Sequence, residues 1–158
     1  MIIYLFDING TLAPADSTMN SEFQTFFLDW MKDKHVVLTS KSGKSFIVSK
    51  IGSSIWTASK RIYHENAKLL YRGSTGPDAK PISIISGRPK TEILDDFEHY
   101  RKNYWTNCHV NFFSDDCNSG GEDYDLAQKL ITEWATSNKT HTINKVDNYT
   151  ETWNILKT

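Results

Sequence analysis

Asp7-Ile8-Asn9-Gly10-Thr11-Leu12 closes the apolar run Ile2-Ile3-Tyr4-Leu5-Phe6, and it is where this sequence first offers chemistry. A carboxylate at such a point can attack phosphorus, while a neighbouring metal neutralises the charge that develops. Gly10 permits a tight turn, and Thr11 offers a hydroxyl and a backbone amide to phosphate. Further polar groups recur where apolar segments end or helices begin: Thr39-Ser40-Lys41, Lys90, and Asp115 with Asp123. Asn-Gly is also a favoured hairpin turn. However, Leu12-Ala13-Pro14-Ala15-Asp16-Ser17 does not alternate, and its proline makes a poor returning strand.

The elements that must position these groups alternate between strand and helix. An apolar run such as Ile2 to Phe6 predicts a fully buried strand. Ser21 and Gln24 have capping-box spacing, and Phe23, Phe26, Phe27, Trp30 and Met31 then form one apolar helical face. His35-Val36-Val37-Leu38 predicts a second strand, and Phe46, Ile47 and Ile51 a helix that stops at Gly52. Short strands are expected at Arg61-Ile62-Tyr63 and Lys68 to Tyr71, with another at Ile82 to Ile85. Residues 72–80, rich in Gly, Pro and small polar side chains, predict a loop. Lys90 to Tyr100 suits a helix, and His109 to Phe113 a further buried strand ending at Ser114-Asp115-Asp116. A helix carrying Leu126, Ala127, Leu130, Ile131 and Trp134, a strand over Thr140 to Ile143, and a helix with Tyr149, Trp153 and Leu156 complete the order. Strands separated by helices predict an α/β protein, a Rossmann-like three-layer sandwich with a mainly parallel sheet. Ligands of such sheets bind beyond the carboxyl ends of the strands.

Bulk properties bound the partners. At 158 residues the chain suits one domain, 1–158, with a small flap at about 71–87. A net charge of -1 argues against a surface that coats nucleic acid. Lys41, Lys44, Lys50, Lys60 and Arg61 form one basic region, most simply a solvated face. Cys108 and Cys117 are the only cysteines, which excludes a disulfide framework and a four-cysteine zinc site. Free thiols, no membrane-length apolar stretch and no signal-like N-terminus lead to the expectation of a cytoplasmic protein.

The order and chemistry of the polar groups resemble the haloacid dehalogenase-like (HAD) phosphohydrolases over nearly the whole chain, apart from the loop-rich middle. Phe112-Phe113-Ser114-Asp115 with Gly120-Gly121-Glu122-Asp123-Tyr124 is similar to the phosphomannomutase signature F-F-G-D…G-G-N-D-Y. Leu38-Thr39-Ser40-Lys41 is similar to the T-S-K signature of mannosyl-phosphoglycerate and sucrose phosphatases, and Glu65-Asn66 to their E-N-G. The resemblance implies a HAD-like core with most of the cap missing, and hydrolysis of phosphomonoesters through an aspartyl-phosphate. It assigns Asp7 as nucleophile, Thr39 to a phosphate oxygen, and Lys90 to the phosphoryl charge and to keeping Asp7 ionised. Gly10, Thr11, Ser40 and Lys41 would line the phosphate. Asp7, the Asn9 carbonyl, Asp115 and Asp123 would hold Mg2+, a cation that prefers few carboxylates, several waters and a substrate phosphate. The expected partner is a phosphorylated small molecule or an exposed phosphate on a larger substrate.

Two alternatives stay open beside that assignment. Ile84-Ile85-Ser86-Gly87-Arg88-Pro89 is also similar to the second motif of trehalose-phosphate phosphatases, a register in which Ser86 replaces Thr39 and Lys102 replaces Lys90. Lys41 and Lys80 are further substitutes for Lys90. A P-loop at Ser42-Gly43-Lys44-Ser45 fails, because the first glycine of that pattern falls on Leu38. A phosphoacceptor receiver domain fails on the order of its acidic residues.

The sequence departs from the resembled pattern at Asn9 and in size. The related enzymes carry a second Asp at the position of Asn9, and an amide does no general acid-base chemistry. Asn9 therefore leads to a slow or specialised phosphatase, a phosphate binder without turnover, or a chain altered to trap an intermediate. The short stretch between Tyr71 and Gly87 leaves room for a flap but not a full lid. An open site suits a bulky phosphorylated substrate, or coverage by a second subunit in a homo-oligomer, and favours hydrolysis over mutase chemistry.

Overall fold

The computed structural model describes residues 1–64, 69–72, 83–85, 89–104, 106–135 and 138–158, with backbone alone for 69–72 and 83–85. Its centre is a seven-stranded sheet in the order β5-β4-β3-β2-β1-β6-β7. These strands are β1 (Ile2–Asp7), β2 (His35–Thr39), β3 (Arg61–His64), β4 (Leu69–Arg72), β5 (Ser83–Ile85), β6 (Cys108–Ser114) and β7 (Lys139–Lys145). The five strands β3-β2-β1-β6-β7 are parallel, and β4 and β5 extend the β3 edge by antiparallel pairing. The fold is thus the expected α/β sandwich, and part of the expected flap segment continues the sheet at its edge.

Alternation along the central strands decides which face each side chain covers. Ile3 and Leu5 of β1, Val37 of β2 and Val110 and Phe112 of β6 enter one core cluster with Phe97, Leu126, Leu130 and Trp134. Phe6, Val36, Leu38 and Phe113 enter the other with Phe23, Phe27, Ile47, Ile51 and Ile55. Helices α4 (Ile93–Tyr104) and α5 (Tyr124–Lys129) cover the first face. Helices α1 (Ser21–Trp30), α2 (Lys44–Ile51), α3 (Ser53–Ala58) and α6 (Tyr149–Lys157) supply the second. Each fully buried Leu, Ile or Phe stabilises the sandwich by roughly 1.5–3 kcal/mol relative to exposure. The aromatic stripe of α1 is core. Phe23 stacks on Trp153 of α6 with ring centres 5.2 Å apart, and Phe6 stacks on Phe113 at 4.6 Å.

Several local expectations change in the folded chain. The cap of α1 is Asn20, whose side chain accepts from the amides of Glu22 and Phe23, and not Ser21. Gln24 is free of capping duty and donates to the Ile51 carbonyl at 2.7 Å. Gly52, at φ +86°, ends α2 and starts α3 at once, where one helix followed by a stop was expected. The segment from Lys90 begins as a 3-10 turn (Lys90–Glu92) before α4. The basic region is not a continuous solvated face. Lys50 and Arg61 are buried, with Arg61 3.8 Å above the Tyr100 ring and the Lys50 ammonium donating to the carbonyls of Pro14 and Ala15.

Candidate active site

The chain steps outward from β1 to β5, then returns through α4 to place β6 on the other side of β1. That reversal opens a crevice at the carboxyl ends of β1 and β6, the position at which open α/β sheets bind ligands. Asp7 ends β1 and pairs in register with Thr39 at the end of β2. Ser114 ends β6, so Asp115 enters the same crevice. Asp123 immediately precedes α5. Lys90 opens the 3-10 turn beyond β5.

Lys90 carries the arrangement. Although a lysine in a first turn is ordinarily solvent-facing, this one is 8% exposed, with its ammonium 3.2 Å from an Asp7 oxygen and 2.5 Å from Asp123 Oδ1. Burial opposes its charge, but the Asp7 and Asp123 carboxylates outweigh that and raise it above the ordinary lysine value. Asp7 is pushed up to about 7, first by burial and then by Asp123 and Asp115, against the downward pull of Lys90. Burial also raises Asp115, against the hydrogen bond from Thr11. Lys102, the competing lysine, lies exposed late in α4. Lys80, Ser86 and Glu65-Asn66 lie outside the described residues.

The loop after β1 is shaped to bring Asp115 close. The Gly10 amide donates to the Ala13 carbonyl at 2.7 Å, and the amides of Leu12 and Ala13 both donate to the Ile8 carbonyl. Gly10 sits at φ +80°, and a Cβ there would lie 2.1 Å from Asp115 Oδ2. Thr11 is fully buried: its hydroxyl donates to Asp115 Oδ1 at 3.1 Å and accepts from the Asp115 amide at 3.1 Å. Both residues, expected beside the phosphate, pack against and orient Asp115 in the folded chain. The reason is geometric, because the turn carries them under that carboxylate. Ser40 is likewise buried and accepts from the Ser42 amide, holding the start of the next loop.

Three contributors escaped the sequence reading. Ser114 donates to Asp123 Oδ2 at 2.7 Å and accepts from the Asp116 amide. Asp116 accepts from the Glu122 amide at 2.8 Å, and its backbone carbonyl and side chain fill the space where Gly121 would carry a Cβ. Glu122 forms an ion pair with Lys41. The Ser114 position in the F-F-S-D run was the available signal, since a hydroxyl there can brace the carboxylates that follow.

A cleft of about 210 Å3 is lined by Asp7, Asn9, Ala15, Lys41, Asp115, Asp116, Glu122 and Asp123. The Thr39 hydroxyl and the Asn9 side-chain oxygen are buried without a hydrogen-bond partner among the described residues. Among those residues, no three His, Cys, Asp or Glu side chains form a ready-made metal cage. The donor set is nevertheless all oxygen, and Asp7, Asp115 and Asp123 converge on one cleft, so a hard divalent cation fits. Asp123 has both oxygens engaged, one by Lys90 and one by Ser114, which suits it to hold the lysine and leaves Asp7 and Asp115 as the freer donors.

No family model and no characterised protein sequence matches the chain. Solved structures do. A trehalose-6-phosphate phosphatase-related protein superposes with a TM-score of 0.57 at 10% identity, over 98% of this chain and 95% of the other. An N-terminally truncated, IMP-bound IMP-nucleotidase of Plasmodium falciparum gives 0.57 at 10% identity, over 98% of this chain and 67% of that one. An IMP-bound aspartate-to-asparagine mutant of that nucleotidase gives 0.59 at 9% identity, over 98% and 65%. The chain therefore shares the α/β fold of these phosphatases.

Proposed function

We propose that this protein is a magnesium-dependent phosphomonoester hydrolase with Asp7 as its nucleophile. The observation that carries the reading is the buried Lys90 ammonium between Asp7 and Asp123, one strand away from the Thr39 hydroxyl, which has no hydrogen-bond partner among the described residues. Asp7 attacks phosphorus, the bond to the ester oxygen breaks with its electron pair, and the leaving oxygen takes a proton from water. Water then cleaves the acyl phosphate, returning the Asp7 carboxylate and free phosphate. Thr39 donates to a phosphoryl oxygen, and Lys90 pulls Asp7 towards its ionised form and faces the charge of the transferring group. Asp115, Asp7 and the Asn9 carbonyl would hold Mg2+, which when bound supplies positive charge to Asp7 and to the phosphoryl oxygens.

Asn9 sets the rate. Its amide neither gives nor takes the proton in flight, and general acid-base help is worth roughly 100- to 10,000-fold. Turnover is therefore slow and depends on a good leaving group. The structural neighbours include a nucleotidase bound to IMP, which supports a phosphorylated small molecule as the substrate class. No helix among the described residues is long and apolar enough to cross a membrane, and we assign the protein to the cytoplasm. Asn9 also favours a second reading, a phosphate-binding module on the same fold without turnover.

Release of p-nitrophenol from p-nitrophenyl phosphate, with and without magnesium, separates the two. The hydrolase reading expects slow magnesium-dependent release in the native protein, none in Asp7→Ala, and a gain of roughly 100-fold or more in Asn9→Asp. No Asp7-dependent release in the native protein, with strong release in Asn9→Asp, supports the binding module.

A further inference from the structure

Lys41 and Glu122 form an ion pair at the mouth of the cleft, and both side chains are 45% exposed. The pair joins the loop after β2 to the loop before α5. It also stands between two cavities. One is the cleft that holds Asp7, Asn9 and Asp115. The other, about 250 Å3, is lined by Lys41, Pro89, Lys90, Thr91, Glu122, Asp125 and Leu126. Lys41 and Glu122 are the two residues common to both. Lys41 is moreover the one cation that lines the first cleft among the described residues, since Lys90 reaches in from the second.

A phosphate dianion entering beside Asp7 competes with Glu122 for Lys41. Half-exposed ion pairs are weak, so a doubly charged ligand displaces the carboxylate readily. The released Glu122 then shares the second cavity with Asp125. Among the described residues no unengaged cation there offsets them, because Lys90 is held by Asp7 and Asp123. We infer that Glu122 is a specificity residue: exchanged off Lys41 by the substrate phosphate, it faces the leaving group and selects cationic or neutral ones over anionic ones. This rests on the hydrolase reading for the identity of the phosphate cleft, and it adds the charge of the group that leaves.

O-phosphoethanolamine and phosphoglycolate test it, being two-carbon phosphomonoesters that differ in an ammonium against a carboxylate. Their kcat/KM values and their calorimetric affinities are compared in magnesium for the native protein, Glu122→Gln, Glu122→Lys and Lys41→Gln. The native protein prefers phosphoethanolamine. Glu122→Gln lowers the preference by about fivefold, the scale of one solvent-exposed charge contact, and Glu122→Lys reverses it. Lys41→Gln weakens both ligands alike and leaves their ratio unchanged. A ratio that is the same in the native protein, Glu122→Gln and Glu122→Lys overturns the inference, even where both esters are hydrolysed. Affinities that follow Glu122 without any hydrolysis uphold the selectivity while refuting the hydrolase. Failure of the native protein to bind either ester overturns it too.

Discussion

Alanine at Gly10 tests how closely the turn after β1 must approach Asp115. Gly10 lies at φ +80°, and Gly120, in the loop before α5, lies at φ +87°. Both demand the left-handed region, where a side chain costs roughly 1–2 kcal/mol. They differ in surroundings. A Cβ at Gly10 would stand 2.1 Å from Asp115 Oδ2, whereas one at Gly120 meets no atom of the described residues within 4 Å. Asp115 cannot stay in place against a methyl group so near, and when it moves it loses the reciprocal Thr11 contacts at 3.1 Å. Hydrogen bonds to a charged group are worth roughly 1.5–3 kcal/mol. Gly120→Ala should therefore cost about 1–2 kcal/mol in urea denaturation, and Gly10→Ala about 3–5 kcal/mol, by adding the backbone and contact costs. Magnesium-dependent ester hydrolysis should survive in Gly120→Ala and disappear in Gly10→Ala. Equal stability losses in the two variants, with hydrolysis surviving in both, would show that the close approach of Asp115 matters to neither folding nor chemistry, and the account of the turn would be refuted.

Other expectations rest on separate contacts. Lys90→Met strands two buried carboxylates and should cost about 3–5 kcal/mol in EDTA at pH 8. Because Lys90 is what pulls Asp7 down, Asp7 then folds best protonated, so the loss should shrink at pH 5, and a loss that is flat with pH would contradict the ion-pair assignment. Glu98 is held down to about 2 from an ordinary 4.5, chiefly by the Arg101 hydrogen bonds. Its contribution is present above about pH 4.5 and lost as pH falls towards 2. Screening limits it to roughly 1 kcal/mol, read as a smaller acid-induced drop in Glu98→Gln. Burial pushes the Cys108 thiol up to about 12, so iodoacetamide at pH 8 should leave it intact in the folded protein and label it in urea, with intact mass as the readout.

Local pattern made most of the sandwich legible. The apolar runs of β1, β2 and β6 and the aromatic period of α1 state which sides are buried, and the fold uses them so. Asp7, Thr39 and Asp115 could be placed at strand ends by the same logic. What stayed hidden depends on partners distant in the chain. Thr11 meets Asp115 across 104 residues, and Lys90 meets Asp123 across 33. No periodicity tells a lysine in a first turn that two carboxylates will make its burial favourable. Asn20 displaced Ser21 as a cap because capping depends on where the backbone leaves the extended region, and neighbouring polar residues compete for that place. Glu122 and Ser114 were missed for a simpler reason: each matters only through a residue that is itself brought in by the fold.

Charge explains why Asn9 sits comfortably in this site. The cleft already gathers Asp7, Asp115, Asp116, Glu122 and Asp123 against the ammonium groups of Lys41 and Lys90. Asp7 bears the consequence, since its neighbours Asp123 and Asp115 help to raise it to about 7. A sixth carboxylate at position 9, with an oxygen as buried as that of Asn9 and, like it, without a partner among the described residues, would raise the repulsion further whenever no cation is bound. The amide avoids that penalty and gives up the proton transfer. On the hydrolase reading, stability without metal and speed with metal pull residue 9 in opposite directions, and Asn9 favours stability. An aspartate there becomes tolerable only as the cation that neutralises it stays bound, which ties the gain in turnover expected of Asn9→Asp to magnesium.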